Sequence, residues 1–161
     1  MQIIIIGGGE IGYALAKALA AHHELCVVDA VPSVAERFGL LDVEFLTGSG
    51  TSRSLLERAR ASTCDLLIAC TGLDEVNIVA CSLGSQLGCR RTICFVSKED
   101  FVHTAEGRDS LSEHFGIDQV IWPEAQLADA IERIIMAPGS VDAGVFAGGE
   151  IRLLEFRLGS D

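Results

Sequence analysis

Residues 2–19 read QIIIIGGGEIGYALAKAL, and this stretch decides the fold. Its four consecutive isoleucines are typical of a strand that is covered on both faces, as the strands of parallel sheets are. The apolar residues that follow the glycines recur at helical spacing and predict an amphipathic helix. A glycine-rich loop between a strand and a helix is the arrangement that binds the diphosphate of a dinucleotide.

The loop contains the pattern G-x-G-x-x-G, and each glycine of this pattern has a predicted task. Gly7 allows the tight turn from strand to helix, Gly9 lets a diphosphate approach the backbone, and Gly12 lets the helix pack closely against the strand. The start of the helix adds unpaired N–H groups and a partial positive charge. We therefore predict that the whole loop contacts the ligand, namely Gly7, Gly8, Gly9, Glu10, Ile11 and Gly12.

Acidic, polar or small residues follow three of the other predicted strands. Asp29 closes the second strand, 17 positions after Gly12, where a carboxylate can bind ribose hydroxyls and repel a 2′-phosphate, so that NAD(H) is favoured over NADP(H). An alternative is that Asp29 only caps a helix starting near Pro32. Because ligands bind beyond the carboxyl ends of parallel strands, we assign to the same site Ala30, Gly48, Ser49, Thr71 and Gly72. Ordinary turn chemistry is the alternative for the residues after the third and fourth strands.

The remaining sequence alternates strand and helix patterns, which predicts an α/β fold with a Rossmann-type doubly wound parallel sheet of about six strands. The predicted strands are 3–6, 25–28, 43–46, 66–70, 92–96 and 120–122. Helices are predicted near 32–40, 52–61, 74–87 and 123–136, with short helix and loop between 98 and 115.

Three segments follow from this pattern. Residues 1–122 are interpreted as the nucleotide-binding domain and residues 123–139 as a crossover helix. Residues 140–161 are interpreted as a short β-hairpin, with strands at 141–146 and 151–158, or as a linker.

Composition excludes several classes of function. The net charge of −11 argues against a nucleic-acid-binding surface, which needs clustered lysine and arginine. No C-x-x-C pair occurs among the six cysteines, so we expect no zinc site. Cys26, Cys70 and Cys94 fall inside apolar runs that predict strands, where cysteine acts as a small hydrophobe, and we expect all six cysteines to be reduced thiols of a cytosolic protein. The opening apolar run is too short for a signal peptide or a membrane span, and no direct membrane insertion is expected.

The helix after the fourth strand opens with Asp74, Glu75 and Asn77. Asp74 is a suitable N-cap, and acidic groups suit the positive end of the helix dipole, so we assign no ligand role to Asp74 or Glu75. None of the motifs G-x-S-x-G, H-E-x-x-H or the P-loop is present, and the four histidines stand in polar helix or loop contexts. We therefore expect no catalytic site.

Several of these stretches together resemble a known family. Residues 1–12, 27–29, 48–51 and 70–77 are similar to the N-terminal module of TrkA-type potassium-uptake regulators, the RCK or KTN domain (TrkA-N). Residues 122–124 and 137–139, with the apolar helix between them, resemble the crossover region of that family. The resemblance extends to about Phe156.

The resemblance implies a cytoplasmic regulatory domain rather than an enzyme. Such domains form dimers or rings beneath a membrane potassium-translocating subunit and gate it by nucleotide-dependent conformational change. The implied ligand is NAD(H), with ATP or ADP as alternatives, on Gly7, Gly9, Gly12, Asp29, Thr71 and Gly72. Helix 123–136 would form the dimer, and the family continues beyond the position of Asp161 into a further ligand-sensing domain.

Two departures from the family bear on ligand binding. Ser49 stands where the family often has an acidic residue or histidine. Phe95 and Ser97 stand at the end of the fifth strand, where the family usually has an arginine, and Lys98 is the nearest cation. Two other functions remain open from the residues alone: the cofactor-binding half of a small NAD-dependent oxidoreductase, and a dimerisation module whose glycine loop has lost its ligand.

Overall fold

The computed structural model describes residues 1–98, 101 and 114–136, and the backbone of two further strands at Ser140–Phe146 and Ile151–Phe156. The chain divides into two compact units, Met1–Trp122 and Pro123–Asp161. The short helix and loop predicted between 98 and 115 lie mostly outside the described residues.

The first unit is built on a six-stranded parallel sheet. The strands are β1 (Gln2–Ile6), β2 (Glu24–Asp29), β3 (Glu44–Thr47), β4 (Leu66–Ala69), β5 (Thr92–Phe95) and β6 (Gln119–Ile121). Their order is β3-β2-β1-β4-β5-β6, and every neighbouring pair is parallel. The predicted Rossmann-type sheet is confirmed. Strand order reverses between β1 and β4, and the crevice at their carboxyl ends is where sheets of this type bind ligands.

Short helices connect these strands. They are α1 (Glu10–Leu19), a 3-10 helix (Pro32–Phe38), α2 (Arg53–Arg58), a second 3-10 helix (Ala61–Thr63) and α3 (Asp74–Leu87). The Ser52 side chain accepts a hydrogen bond from Leu55 N and caps α2. Gly88 ends α3 with a φ of 108°, as the sequence predicted, because a left-handed residue after a helix favours glycine.

The alternation of side chains along β1 explains why all four positions from Ile3 to Ile6 hold an apolar residue. Ile4 and Ile6 pack in the hydrophobic cluster on one face of the sheet, and Ile3 and Ile5 pack in the cluster on the other face. All four are at most 2% exposed. Burial of each such side chain contributes roughly 1.5–3 kcal/mol. The central strand is therefore held from both sides, and the loop that follows it starts from a fixed point.

The cysteines differ from the prediction of six reduced thiols, which was wrong for one pair. Cys64 and Cys89 form a disulfide, with their Cα atoms 5.0 Å apart. Cys64 follows the second 3-10 helix and Cys89 follows α3, so the fold alone brings together two positions that are 25 residues apart. The other four cysteines are free and buried: Cys26, Cys70, Cys81 and Cys94. Burial raises the pKa of both Cys26 and Cys70 to about 12.

The second unit contains a helix and a hairpin, as the sequence predicted. Helix α4 covers Pro123–Met136, and strands β7 (Ser140–Phe146) and β8 (Ile151–Phe156) pair antiparallel. Four apolar side chains of α4 are about half exposed or more: Leu127, Ile131, Ile134 and Ile135. Within the described residues, no helix has the length and apolar character needed to cross a membrane.

Candidate functional site

The glycine loop makes a sharp turn at the carboxyl end of β1. Gly7 has a φ of 106°, and its N–H donates to the carbonyl of Val28 on β2 at 2.8 Å. A Cβ atom at Gly7 would lie 3.0 Å from the backbone N of Thr71, and one at Gly12 would lie 1.8 Å from the carbonyl oxygen of Gly7. Glycine is therefore required at both positions by the protein's own backbone, in the turn and in the helix packing that the sequence predicted.

Gly9 differs from these two glycines. Apart from its neighbours in the chain, a Cβ atom at Gly9 would have none of the described residues within 4 Å, and the backbone at Gly9 is extended, with φ −66° and ψ −161°. Neither packing nor backbone strain in the protein itself therefore requires glycine here. The open space above Gly9 lies where the sequence predicts that a diphosphate approaches the backbone.

The first turn of α1 faces the same space. Gly9 is the N-cap and has no side-chain capping bond, and the first N–H to bond back within the helix is that of Tyr13, to Gly9 O at 2.9 Å. The N–H groups at the start of a helix have no intrahelical partner, and they carry the positive end of the helix dipole. Gly9, Glu10 and Ile11 are exposed, so an anion can reach this turn.

Both carboxylate oxygens of Asp29 accept hydrogen bonds from backbone N–H groups. Oδ2 accepts a hydrogen bond from Gly8 N at 2.7 Å, and Oδ1 accepts one from Val31 N at 2.8 Å. The second bond is a local turn bond and not the helix cap that the alternative expected, because the N-cap of the 3-10 helix is Val31, without a side-chain bond. The first bond ties the carboxylate to the glycine loop. A carboxylate accepts about four hydrogen bonds, so half-buried Asp29 retains capacity for ribose hydroxyls. Ala30, beside it, is exposed.

The turn after β3 joins the same edge of the sheet through Gly48. Its N–H donates to the carbonyl of Asp29 at 2.8 Å, and its φ is 150°. Ser49 instead makes local bonds: its Oγ lies 2.8 Å from Thr51 Oγ1 and accepts from Thr51 N at 3.2 Å. These bonds match the turn-chemistry alternative for the Ser49 side chain, which is exposed.

The turn after β4 is held by a residue to which the sequence assigned no such task. Asn77 is 1% exposed, and its Oδ1 accepts from Thr71 N at 2.9 Å and Thr71 Oγ1 at 2.6 Å. Its Nδ2 donates to the carbonyls of Thr71 at 3.0 Å and of Phe95 at 2.9 Å. One side chain therefore joins the carboxyl ends of β4 and β5. Gly72, next in the turn, is exposed and has open space at its Cβ position.

Asp74 binds the segment that follows β5, and its predicted role as the N-cap of α3 was wrong. The N-cap is Leu73, without a side-chain bond, and Asp74 is 4% exposed. Its carboxylate accepts from the N and Oγ of Ser97 at 3.0–3.2 Å and from the N of Lys98 at 2.9 Å. The local pattern could not identify partners 23 and 24 residues away.

Glu75 extends this connection at the surface. Its carboxylate pairs with the Lys98 ammonium, and this hydrogen bond lowers the pKa of Glu75. Asp74 and Asn77 are three positions apart and lie on one face of α3. Two polar residues at this spacing, on a helix whose other packed residues are apolar, were the sequence signal that could have identified them as residues that hold the strand ends.

The predicted site residues fall into two groups. Hydrogen bonds or close backbone contacts join Gly7, Gly8, Gly12, Asp29, Gly48 and Thr71 at the carboxyl edge of the sheet. Gly9, Glu10, Ile11, Ala30, Ser49 and Gly72 are exposed positions next to them in the chain. The arrangement presents backbone N–H groups, a carboxylate and open space on one edge, as a nucleotide diphosphate and ribose require.

Comparison with known proteins points to one family. The family model described as the TrkA-N domain matches residues 3–123. Trk system potassium uptake protein trkA homolog 1 of Methanosarcina mazei is 36% identical over 165 residues, which cover 98% of this chain and 40% of the relative. The chain therefore spans less than half the length of this relative.

Solved structures share the fold. The TrkA-N domain of inner membrane protein ybaL from Escherichia coli superposes with a TM-score of 0.71 at 15% identity, covering 83% of this chain and 96% of that domain. The GsuK channel bound to NAD superposes with a TM-score of 0.69 at 22% identity, covering 91% of this chain and 25% of the channel chain. Since the family match extends from β1 to the start of α4, the chain belongs to the TrkA-N domain family.

Proposed function

We propose that this chain is the nucleotide-sensing regulatory domain of a potassium transport system, and that it binds NAD(H) on the glycine loop. The observation that carries the proposal is the open space at Gly9, beside unpaired N–H groups of α1 and the carboxylate of Asp29. The relative in Methanosarcina mazei is named as a potassium uptake protein, and NAD is bound in the GsuK channel structure.

In the proposed complex, the diphosphate lies over Gly9 at the start of α1, and the adenosine ribose lies against Asp29. The hydrogen bond from Gly8 N holds that carboxylate toward the loop, so a 2′-phosphate would meet a negative charge. The site therefore favours NAD(H) over NADP(H). ATP and ADP share the adenosine diphosphate part of NAD and are the competing ligands.

Regulation would arise from a difference in affinity between two conformations of an assembly. A nucleotide shifts a conformational equilibrium only as far as it binds one state better than the other. The proposed assembly is a dimer or ring formed through the exposed apolar side chains of α4, placed at the cytoplasmic face beside a membrane potassium-translocating subunit. Only the partner, in this proposal, crosses the membrane.

The test is calorimetric titration of the protein with NADH, NAD, ATP and ADP. Gly9→Ala should leave the melting temperature near that of the unaltered protein, because among the described residues its Cβ meets only its own neighbours in the chain. It should weaken NADH binding about tenfold or more, since a methyl group occupies the space for the phosphates. Gly39→Ala is the matched control: Gly39 is exposed with a φ of −59°, and its substitution should not change the affinity.

Two results would contradict the proposal. If none of the four nucleotides binds, the chain does not sense nucleotides. If Gly9→Ala binds NADH as tightly as the unaltered protein, the diphosphate does not lie on the loop. Turnover of NADH with a small carbonyl compound would instead favour the oxidoreductase hypothesis.

Replacement of Asp29 by Asn separately tests the ribose contact, because it should reduce the preference for NADH over NADPH.

A further inference from the structure

An ion pair borders the glycine loop. Glu10 is the first residue of α1 and lies inside the G-x-G-x-x-G pattern, and its Oε1 is 3.0 Å from Nη1 of Arg37 on the 3-10 helix after β2. The Glu10 side chain is 88% exposed and that of Arg37 is 40% exposed. The pair therefore connects the two segments that flank the site, at its solvent side.

Aromatic packing keeps the Arg37 guanidinium in this position. Its Cζ lies 4.7 Å from the centre of the Tyr13 ring on α1, and Tyr13 packs edge-on against Phe38 with the ring centres 5.4 Å apart. The same 3-10 helix packs directly on the loop, since a Cβ atom at Gly8 would lie 2.5 Å from Cγ1 of Val34. Arg37 is thus held at the edge of the loop from two directions.

Glu10 creates an electrostatic problem for the proposed ligand. The helix dipole stabilises a carboxylate in the first turn of α1. The same carboxylate would repel a diphosphate, with about two negative charges, that binds at this turn. Lys98, the cation after β5, is already paired with Glu75. Arg37 is the cation that the structure places on the Glu10 carboxylate.

We propose that Arg37 allows the loop to bind ligands that carry phosphates, because its positive charge compensates the negative charge of Glu10. This inference rests on the proposed function and adds a selectivity residue to it. With Arg37 in place, the helix N-terminus presents its positive end to a diphosphate without a net opposing charge. Without Arg37, the carboxylate of Glu10 repels ligands in proportion to their phosphate charge.

The experiment measures dissociation constants for NADH and for adenosine at low ionic strength. Arg37→Gln should raise the Kd for NADH roughly fivefold, the order expected when an exposed, uncompensated carboxylate lies within a Debye length of two phosphate charges in water, and leave that for adenosine unchanged. Glu10→Gln combined with Arg37→Gln should restore the Kd to within about twofold of the unaltered value. Arg37→Lys, which retains the charge but not the stacking geometry, should also remain within about twofold.

Arg53→Gln is the matched control, because Arg53 forms an exposed ion pair with Glu57, at 3.1 Å, on helix α2. The inference is overturned if Arg37→Gln leaves the Kd for NADH unchanged, if the Glu10→Gln change fails to rescue it, or if Arg37→Lys weakens binding as much as Arg37→Gln. A purely structural role predicts the last two results. Failure of the proposed function is distinct: the unaltered protein would then bind no nucleotide.

Discussion

Replacement of Asn77 by alanine should be among the most destabilising single changes on helix α3. The side chain is 1% exposed and makes four hydrogen bonds, which join Thr71 at the end of β4 to Phe95 at the end of β5. Alanine removes all four and leaves one N–H group and two carbonyls of the backbone without these partners.

The magnitude follows from those three backbone groups. Loss of each partner costs roughly 1–1.5 kcal/mol, and up to about 3 kcal/mol where water cannot enter. Thr71 is half-buried, so water replaces part of what Asn77 supplied. Alanine recovers roughly 0.6 kcal/mol because it favours the helix more than asparagine does. The expected loss is about 3 kcal/mol of the free energy of unfolding.

The assay is urea denaturation followed by circular dichroism. A loss of about 3 kcal/mol corresponds to a shift of roughly 1.5–2 M in the midpoint at an m-value typical of a small domain. Gln86→Ala is the matched control, since Gln86 is an exposed amide on the same helix with a single 3.4 Å bond to Ser82. Its effect should stay within about 0.5 kcal/mol. If the two variants had equal midpoints, Asn77 would not hold the two strand ends together.

Two further predictions concern the cysteines. Reduction of the Cys64–Cys89 disulfide, which closes a loop of 25 residues, should lower the free energy of unfolding by about 3.5 kcal/mol, as urea curves with and without reductant would show; coincident curves would contradict this. Burial raises the pKa of Cys26 and Cys70 to about 12 from 9.0, so their contribution to stability is complete below pH 9 and is lost as the pH rises toward 12. Unfolding near pH 10.5 should therefore release protons in a pH-stat, and uptake or no change would refute the assignment.

The sequence predicted the sheet and the glycine loop because both depend on local patterns. An unbroken run of isoleucines needs apolar surroundings on two faces, and a parallel strand between helices supplies them. The requirement for glycine at Gly12 is likewise local, since a Cβ there would lie 1.8 Å from the carbonyl oxygen of Gly7. At Gly7 the positive φ is a local requirement, although the atoms that a Cβ would approach belong to Cys70 and Thr71 after β4.

Features that depend on distant partners were not predictable in this way. Asp74 precedes an apolar helix and so matches a capping pattern, but its hydrogen bonds go to Ser97 and Lys98 after β5. The disulfide is a second case, because nothing near Cys64 in the sequence indicates that Cys89, which follows α3, lies beside it. In both cases the tertiary fold decides between chemically reasonable local alternatives.

The two sides of the site differ in how firmly they are held. Toward β5, the buried side chains of Asp74 and Asn77 bind backbone groups through several hydrogen bonds. Toward β2, the boundary is half-buried Asp29 and the exposed ion pair of Glu10 and Arg37. Local opening costs least where contacts are few and exposed to solvent. A nucleotide is therefore expected to rearrange the exposed pair of Glu10 and Arg37 first, because Phe38, which is 2% exposed, keeps the 3-10 helix itself packed in the core.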